Sequence, residues 1–166
     1  MTSPLALLDQ DDFLTVVRNT PLVAIDLIVL DPTRHMLVGL RTNPPAQGSW
    51  FAPGGRIRKN ETLDDAFRRI TVAELGSALE RTDAPLAGVY EHFYAEDFTG
   101  GDAGTHYVVI AHVLRVDPAS LSLPREQHSG YRWVSKESGL EDESIHQNTR
   151  AYLRDGHADV GSAVSR

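Results

Sequence analysis

The chain has 166 residues, which at roughly 100–200 residues per domain is one compact unit. Its 16 Lys and Arg stand against 23 Asp and Glu, a formal charge of −7 with no dense basic stretch, so it is a poor electrostatic binder of nucleic acid or of an anionic membrane. The absence of cysteine removes disulfides, thiolate zinc sites and thiol nucleophiles together, and 41% hydrophobic residues supports a core without staples. The N-terminal MTSPLALLDQDDF has neither a basic start nor a long apolar run, and a cytoplasmic location is expected. No segment approaches the roughly 18 apolar residues of a membrane helix.

Asp9 to Asn19, acidic at the front and apolar at Phe13, Leu14, Val16 and Val17, predicts a short amphipathic helix ended by Pro21. LVAIDLIVL (22–30) predicts a buried strand, followed by a turn at Asp31-Pro32 and a second strand over Met36–Leu40. RTNPPAQGSWFAPGG is a long loop around one short extended piece, and loops of this kind in small domains carry function. Thr62 to Leu75 is the clearest helix, capped by Thr62, with Asp64 and Asp65 in its first turn and Gly76 as its stop. Ala87–Ala95 and His106–Val116 predict an antiparallel strand pair, EQHSGYRWV a short strand or edge, and His146–Leu153 a last helix. Residues 1–153 thus read as a single domain, with 154–166 as a flexible tail. The order of elements predicts an α/β or α+β fold with a mixed sheet.

One carboxylate violates the pattern. On a wheel of about 100° per residue, Glu74 falls between Phe67 and Ile70, inside the apolar stripe. Buried there it must be paired, protonated or bound to a cation. Arg69 is a nearby partner in sequence but lies well off that direction, so ion pair and metal ligand both stay open. Asp26 poses the same question inside the apolar strand: a buried salt bridge and a ligand contact both require it to be satisfied.

Gly55, Glu61, Arg69, Glu74 and Gly76 resemble the Nudix box, in which glutamate follows glycine by six positions and arginine follows by eight more; the preceding WFAPGG resembles its lead-in. The resemblance implies an α/β/α sandwich on a mixed sheet, a divalent cation beside the box helix, and a substrate with a diphosphate linked to another group. Two positions depart from the box: Ile70 and Ala73 stand where glutamates are common. With fewer anionic ligands a single ion is the expectation, and the usual box-borne base is gone.

The departures themselves resemble a subfamily. PAQGSWFAPGGRIRKNETLDDAFRRITVAELG, with NTPLVAID, RTN, THYVV and EQHSGYRW, is similar to the GDP-mannose mannosyl hydrolases over about Asp12 to Leu153. That resemblance implies hydrolysis of GDP-mannose or GDP-glucose to GDP and free sugar, with attack on the anomeric carbon and inversion. It implies one Mg²⁺, or Mn²⁺, held by Glu74, the Gln127 side chain and the Gly54 carbonyl, and a homodimer. It implies His128 as general base, an assignment that suits an imidazole near neutral pH. Arg41 and Arg56 are the candidates to neutralise charge on departing GDP. Tyr107 would assist the leaving group, and Asp26 and His92 would contact the sugar. Arg69 would orient the box through a carboxylate, with direct phosphate contact as the second option. Each has an ordinary alternative: exposed loop residues for Gln127 and His128, surface charges for the arginines, sheet residues for His92 and Tyr107. Two other functions compete, a conventional pyrophosphohydrolase acting at phosphorus and a non-catalytic nucleotide-sugar sensor.

Overall fold

The computed structural model describes residues 8–126 and 128–157. In chain order its elements are α1 (Gln10–Asn19), β1 (Leu22–Leu30), β2 (Met36–Arg41), β3 (Trp50–Phe51), β4 (Gly54–Arg56), α2 (Leu63–Leu75), β5 (Leu86–Tyr94), β6 (Thr105–Arg115), β7 (His128–Val134), α3 (Lys136–Glu141) and α4 (Gln147–Arg154). Among the described residues the strands form one mixed sheet in the order β3-β2-β1-β6-β5, with β4 added to β1 and β7 to β2.

The near-continuous apolar run of β1 follows from its central place, buried on both faces. Ile25, Leu27 and Val29 meet Ala66, Phe67, Ile70 and Leu75 of α2 on one side. Ile28 and Leu30 pack with Tyr152 and Leu153 of α4 on the other. Helices on both faces of a mixed sheet make the expected α/β/α sandwich. No described helix is long and apolar enough to cross a membrane.

Helix α2 ends where its sequence dictates. Thr62 accepts from the Asp65 N–H at 3.1 Å, and Gly76 takes the left-handed conformation with φ 74°. Helix α1 is capped by Asp9, which accepts from the Asp12 N–H at 2.9 Å.

The strand pairing keeps β1 beside β2 and adds a parallel neighbour on its other edge. β1 and β2 meet antiparallel only at Leu30 and Met36, whereas β1 runs parallel to β6 along its whole length, from Leu22–Tyr107 to Leu30–Arg115. β5 and β6 form the expected antiparallel pair, and the segment after Gln127 becomes β7, paired with β2. The proline-rich loop contains two short strands, β3 and β4, rather than one. Helix α3 has no counterpart in the expectation; Ser135 caps it by accepting from the Ser138 N–H at 3.1 Å. At the C-terminal end α4 closes at Arg154, and the Tyr90 O–H donates to Asp155 Oδ2 at 2.9 Å. The rest of the expected tail, residues 158–166, lies outside the described residues.

Candidate active site

A cavity of about 770 Å³ opens over the ends of β1, β4, β6 and the box helix. Asp26, Arg41, Gly54, Arg56 and Arg69 line it together with Glu74, His92, Tyr107 and His128. These are nine of the ten residues anticipated from sequence; Gln127 lies outside the described residues. The chain thus brings together residues from α2 and six strands, β1, β2, β4, β5, β6 and β7.

Glu74 is buried, and its Oε2 lies 2.9 Å from His128 Nε2. The contact is an ion pair when the imidazole carries its second proton, and a hydrogen bond from Nε2–H to the carboxylate when it does not. Arg69 is therefore not its partner. His128 fits because β2 carries glycine beside it: a Cβ on Gly39 would lie 2.5 Å from His128 Nδ1. That Nδ1 is buried without a hydrogen-bond partner, and Nε2 is the ring nitrogen that meets Glu74. His128 is thus no exposed loop residue.

Arg69 instead grips Glu61. Its Nε donates to Oε1 at 2.6 Å and its Nη2 to Oε2 at 2.8 Å, and the same Nη2 donates to the Arg56 carbonyl at 2.8 Å. Glu61 Oε2 also accepts from the Arg58 N–H at 2.9 Å. This fork ties the Arg56–Glu61 loop to the box helix, the orienting role expected of Arg69. The Arg69 hydrogen bond holds the Glu61 carboxyl below its ordinary value of 4.5, against an opposing desolvation. A depressed folded-state pKa means that the stabilisation is present above pH 4.5 and is lost as pH falls through the lower folded value. Urea titrations of wild type and Glu61→Gln should accordingly differ at pH 7 and converge toward pH 3; a constant difference across that range would refute the assignment.

Arg56 stacks on Phe13 of α1, with its guanidinium carbon 3.9 Å from the ring centroid. Arg41 Nε donates to the Asn43 carbonyl at 2.9 Å, holding the start of the proline-rich loop. Both arginines act electrostatically on the Tyr107 phenol, whose pKa burial nonetheless raises. Sequence reasoning missed Arg58 and Lys59, which also line the cavity; the basic run R-I-R-K directly after the glycine pair is the signal that marks them. Five basic side chains and two carboxylates therefore face one cavity of an acidic chain.

The cavity is also lined by the carboxyl of Asp26 and the buried imidazole of His92. Asp26 is satisfied by a hydroxyl rather than a salt bridge, as Tyr152 O–H donates to Asp26 Oδ2 at 2.6 Å. Desolvation pushes the Asp26 carboxyl up to about 7. His92 is buried beside it, and desolvation, with the charge of His146, lowers its pKa to about 4. Gly54 pairs with Asp26 across β4 and β1, and only glycine fits, because a Cβ would strike Asp26 Oδ1 and approach the Ile25 carbonyl oxygen to 2.7 Å. Tyr152 itself is absent from the sequence expectations: it lies 126 residues from Asp26 and reads as an ordinary apolar-face tyrosine.

A glycine-led loop braced to a helix whose one inward carboxylate meets a cationic cleft, on a mixed sheet between helices, defines the Nudix class of proteins. The NUDIX domain model matches residues 20–155, and the chain belongs to this family. It is 38% identical over 129 residues to the low-salt glycan biosynthesis protein Agl8 of Haloferax volcanii, covering 76% of this chain and 78% of that protein. Among solved structures it is similar to the MutT protein of Methanosarcina mazei, with a TM-score of 0.67 at 20% identity over 86% of this chain and 99% of that one. The NUDIX domain of Shewanella oneidensis NrtR, solved with ADP ribose, gives a TM-score of 0.65 at 15% identity over 95% and 96% of the two chains. At such identities these two likenesses establish the fold. The chain is accordingly a Nudix hydrolase.

Nudix hydrolases generally use divalent metals such as Mg²⁺ or Mn²⁺. Among the described residues no three His, Asp or Glu side chains gather as a metal cluster. Glu61 is committed to Arg69, and Ile70 and Ala73 bring no carboxylate, which leaves Glu74 as the box carboxylate at the cavity. This donor set fits a hard cation that takes one protein carboxylate, a backbone carbonyl and the ligand's own phosphate oxygens, the arrangement usual for Mg²⁺ at phosphate sites.

Proposed function

We propose that the chain hydrolyses GDP-mannose or GDP-glucose to GDP and free sugar, by attack of water at the anomeric carbon with inversion. The observation that carries this reading is that one cavity is lined both by Arg41, Arg56, Arg58 and Lys59 and by Asp26, His92 and Tyr107. A diphosphate suits the first set and a hydroxylated ring the second. The shortened box, with Ile70 in the core and Ala73 at the cavity wall, supports a base outside the box. The similarity to a protein named for glycan biosynthesis supports a sugar-linked substrate.

In this reading Glu74, Gln127 and the Gly54 carbonyl hold one Mg²⁺, which neutralises diphosphate charge when bound. Arg41 and Arg56 stabilise negative charge on the β-phosphate as the C1–O bond breaks and its electron pair moves to the phosphate oxygen. Tyr107 donates toward that oxygen. His128 takes the proton of the attacking water at Nε2, which is freed for this when the Glu74 carboxylate takes another partner and the ring proton resides on Nδ1. Asp26 and His92 bind sugar hydroxyls. The protein works as a cytoplasmic homodimer.

Hydrolysis in ¹⁸O water tests the assignment. Label in the sugar, with GDP as the other product, is expected; label confined to phosphate, with GMP and sugar 1-phosphate released, would place the cleavage at phosphorus. Saturable GDP-sugar binding without turnover under any divalent ion would mark a sensor.

A further inference from the structure

The cavity's sugar-facing groups are held by a residue behind them. Tyr152 is 1% exposed and does not line the cavity, yet its hydroxyl sits between Asp26 Oδ2 at 2.6 Å and His92 Nε2 at 3.4 Å. A phenol has one proton, and with Asp26 ionised the short contact to its carboxylate takes it. The Tyr152 oxygen can then only accept from His92, which fixes the hydrogen of a neutral His92 on Nε2 and leaves Nδ1 as the acceptor of the ring. The anchor is stiff: the Tyr152 ring packs edge-on to Tyr90 at 4.8 Å, and α4 is tied to the strand end after β3 by the Ala52 N–H, which donates to buried Thr149 Oγ1 at 3.0 Å.

We infer that Tyr152 is a positioning residue that orients Asp26 and His92 as two acceptors, so that the site selects a glycosyl group presenting two free hydroxyl donors. Asp26 Oδ1, facing Gly54, supplies one acceptor and His92 Nδ1 the other. Deoxy or O-methyl sugars, which lose a donor, leave one of these buried acceptors unpaired and are rejected. The inference rests on the glycosyl reading of the cavity for its ligand, but its hydrogen-bond chain exists in the free protein.

Imidazole ¹⁵N–¹H correlation spectra of the ligand-free wild-type protein should show His92 as the Nε2–H tautomer; an Nδ1–H tautomer would overturn the inference, and that measurement needs no variant and no turnover. Tyr152→Phe, which keeps the ring, should shift His92 away from the Nε2–H form. It should lower kcat/KM for a GDP-sugar by about ten- to a hundredfold while the Kd of GDP, which has no sugar to contact, stays within about twofold. In an Asp26→Asn background the same substitution should have a smaller effect, because only the His92 contact is left for it to break. Parallel losses for GDP and GDP-sugar, or multiplying effects in the double variant, would show a merely structural tyrosine. Failure of the wild type to cleave any GDP-sugar would defeat the proposed function and leave the tautomer result to judge the chain itself.

Discussion

His128→Gln is expected to lower GDP-sugar turnover by roughly 10²–10⁴-fold, the range for loss of a positioned general base. The substitution is informative because glutamine can still hydrogen-bond to Glu74 but cannot accept a proton at neutral pH. The imidazole lies against Gly39, between β2 and the box helix, with Nε2 on Glu74 and Nδ1 buried. Its replacement therefore changes proton chemistry at one atom and leaves the surrounding arginines in place. Calorimetric titration with Mg²⁺ and GDP should give affinities close to wild type. Near-normal rates around neutral pH would show that another group takes the proton from water.

Glu74→Gln should fail in the opposite order. It removes the box carboxylate at the cavity while preserving shape, so Mg²⁺-dependent binding of GDP should weaken by more than tenfold, with turnover lost in consequence. Stability should change little, by about 1 kcal/mol, because an amide can replace the hydrogen bond to His128. Urea denaturation beside the titration separates the two effects. A protein that binds Mg²⁺ and GDP as wild type does would remove Glu74 from the metal site. A loss of several kcal/mol, about 3–5, would make the buried pair structural first.

Much of this site was legible in the chain because its signals are local. The box spacing, the cap at Thr62, the stop at Gly76 and the inward Glu74 all lie within one loop and one helix, where periodicity converts directly into direction. Asp26 was visible as a charge in an apolar strand. The apparent conflict between an acidic chain and an anionic ligand resolves at the same scale, since Arg56, Arg58 and Lys59 follow one another within four residues and Arg41 joins them from β2.

By itself the sequence determined the composition class, the long elements, the family resemblance and the residues on which chemistry would fall. Tertiary structure alone decided what those residues touch. Glu74 meets His128, 54 positions away, while its near neighbour Arg69 turns to Glu61. Asp26 takes its proton donor from Tyr152 on α4, and β1 pairs along its length with β6 rather than with the strand that follows it. These are long-range contacts, fixed by sheet order and helix packing, and no short-range period in the chain encodes them.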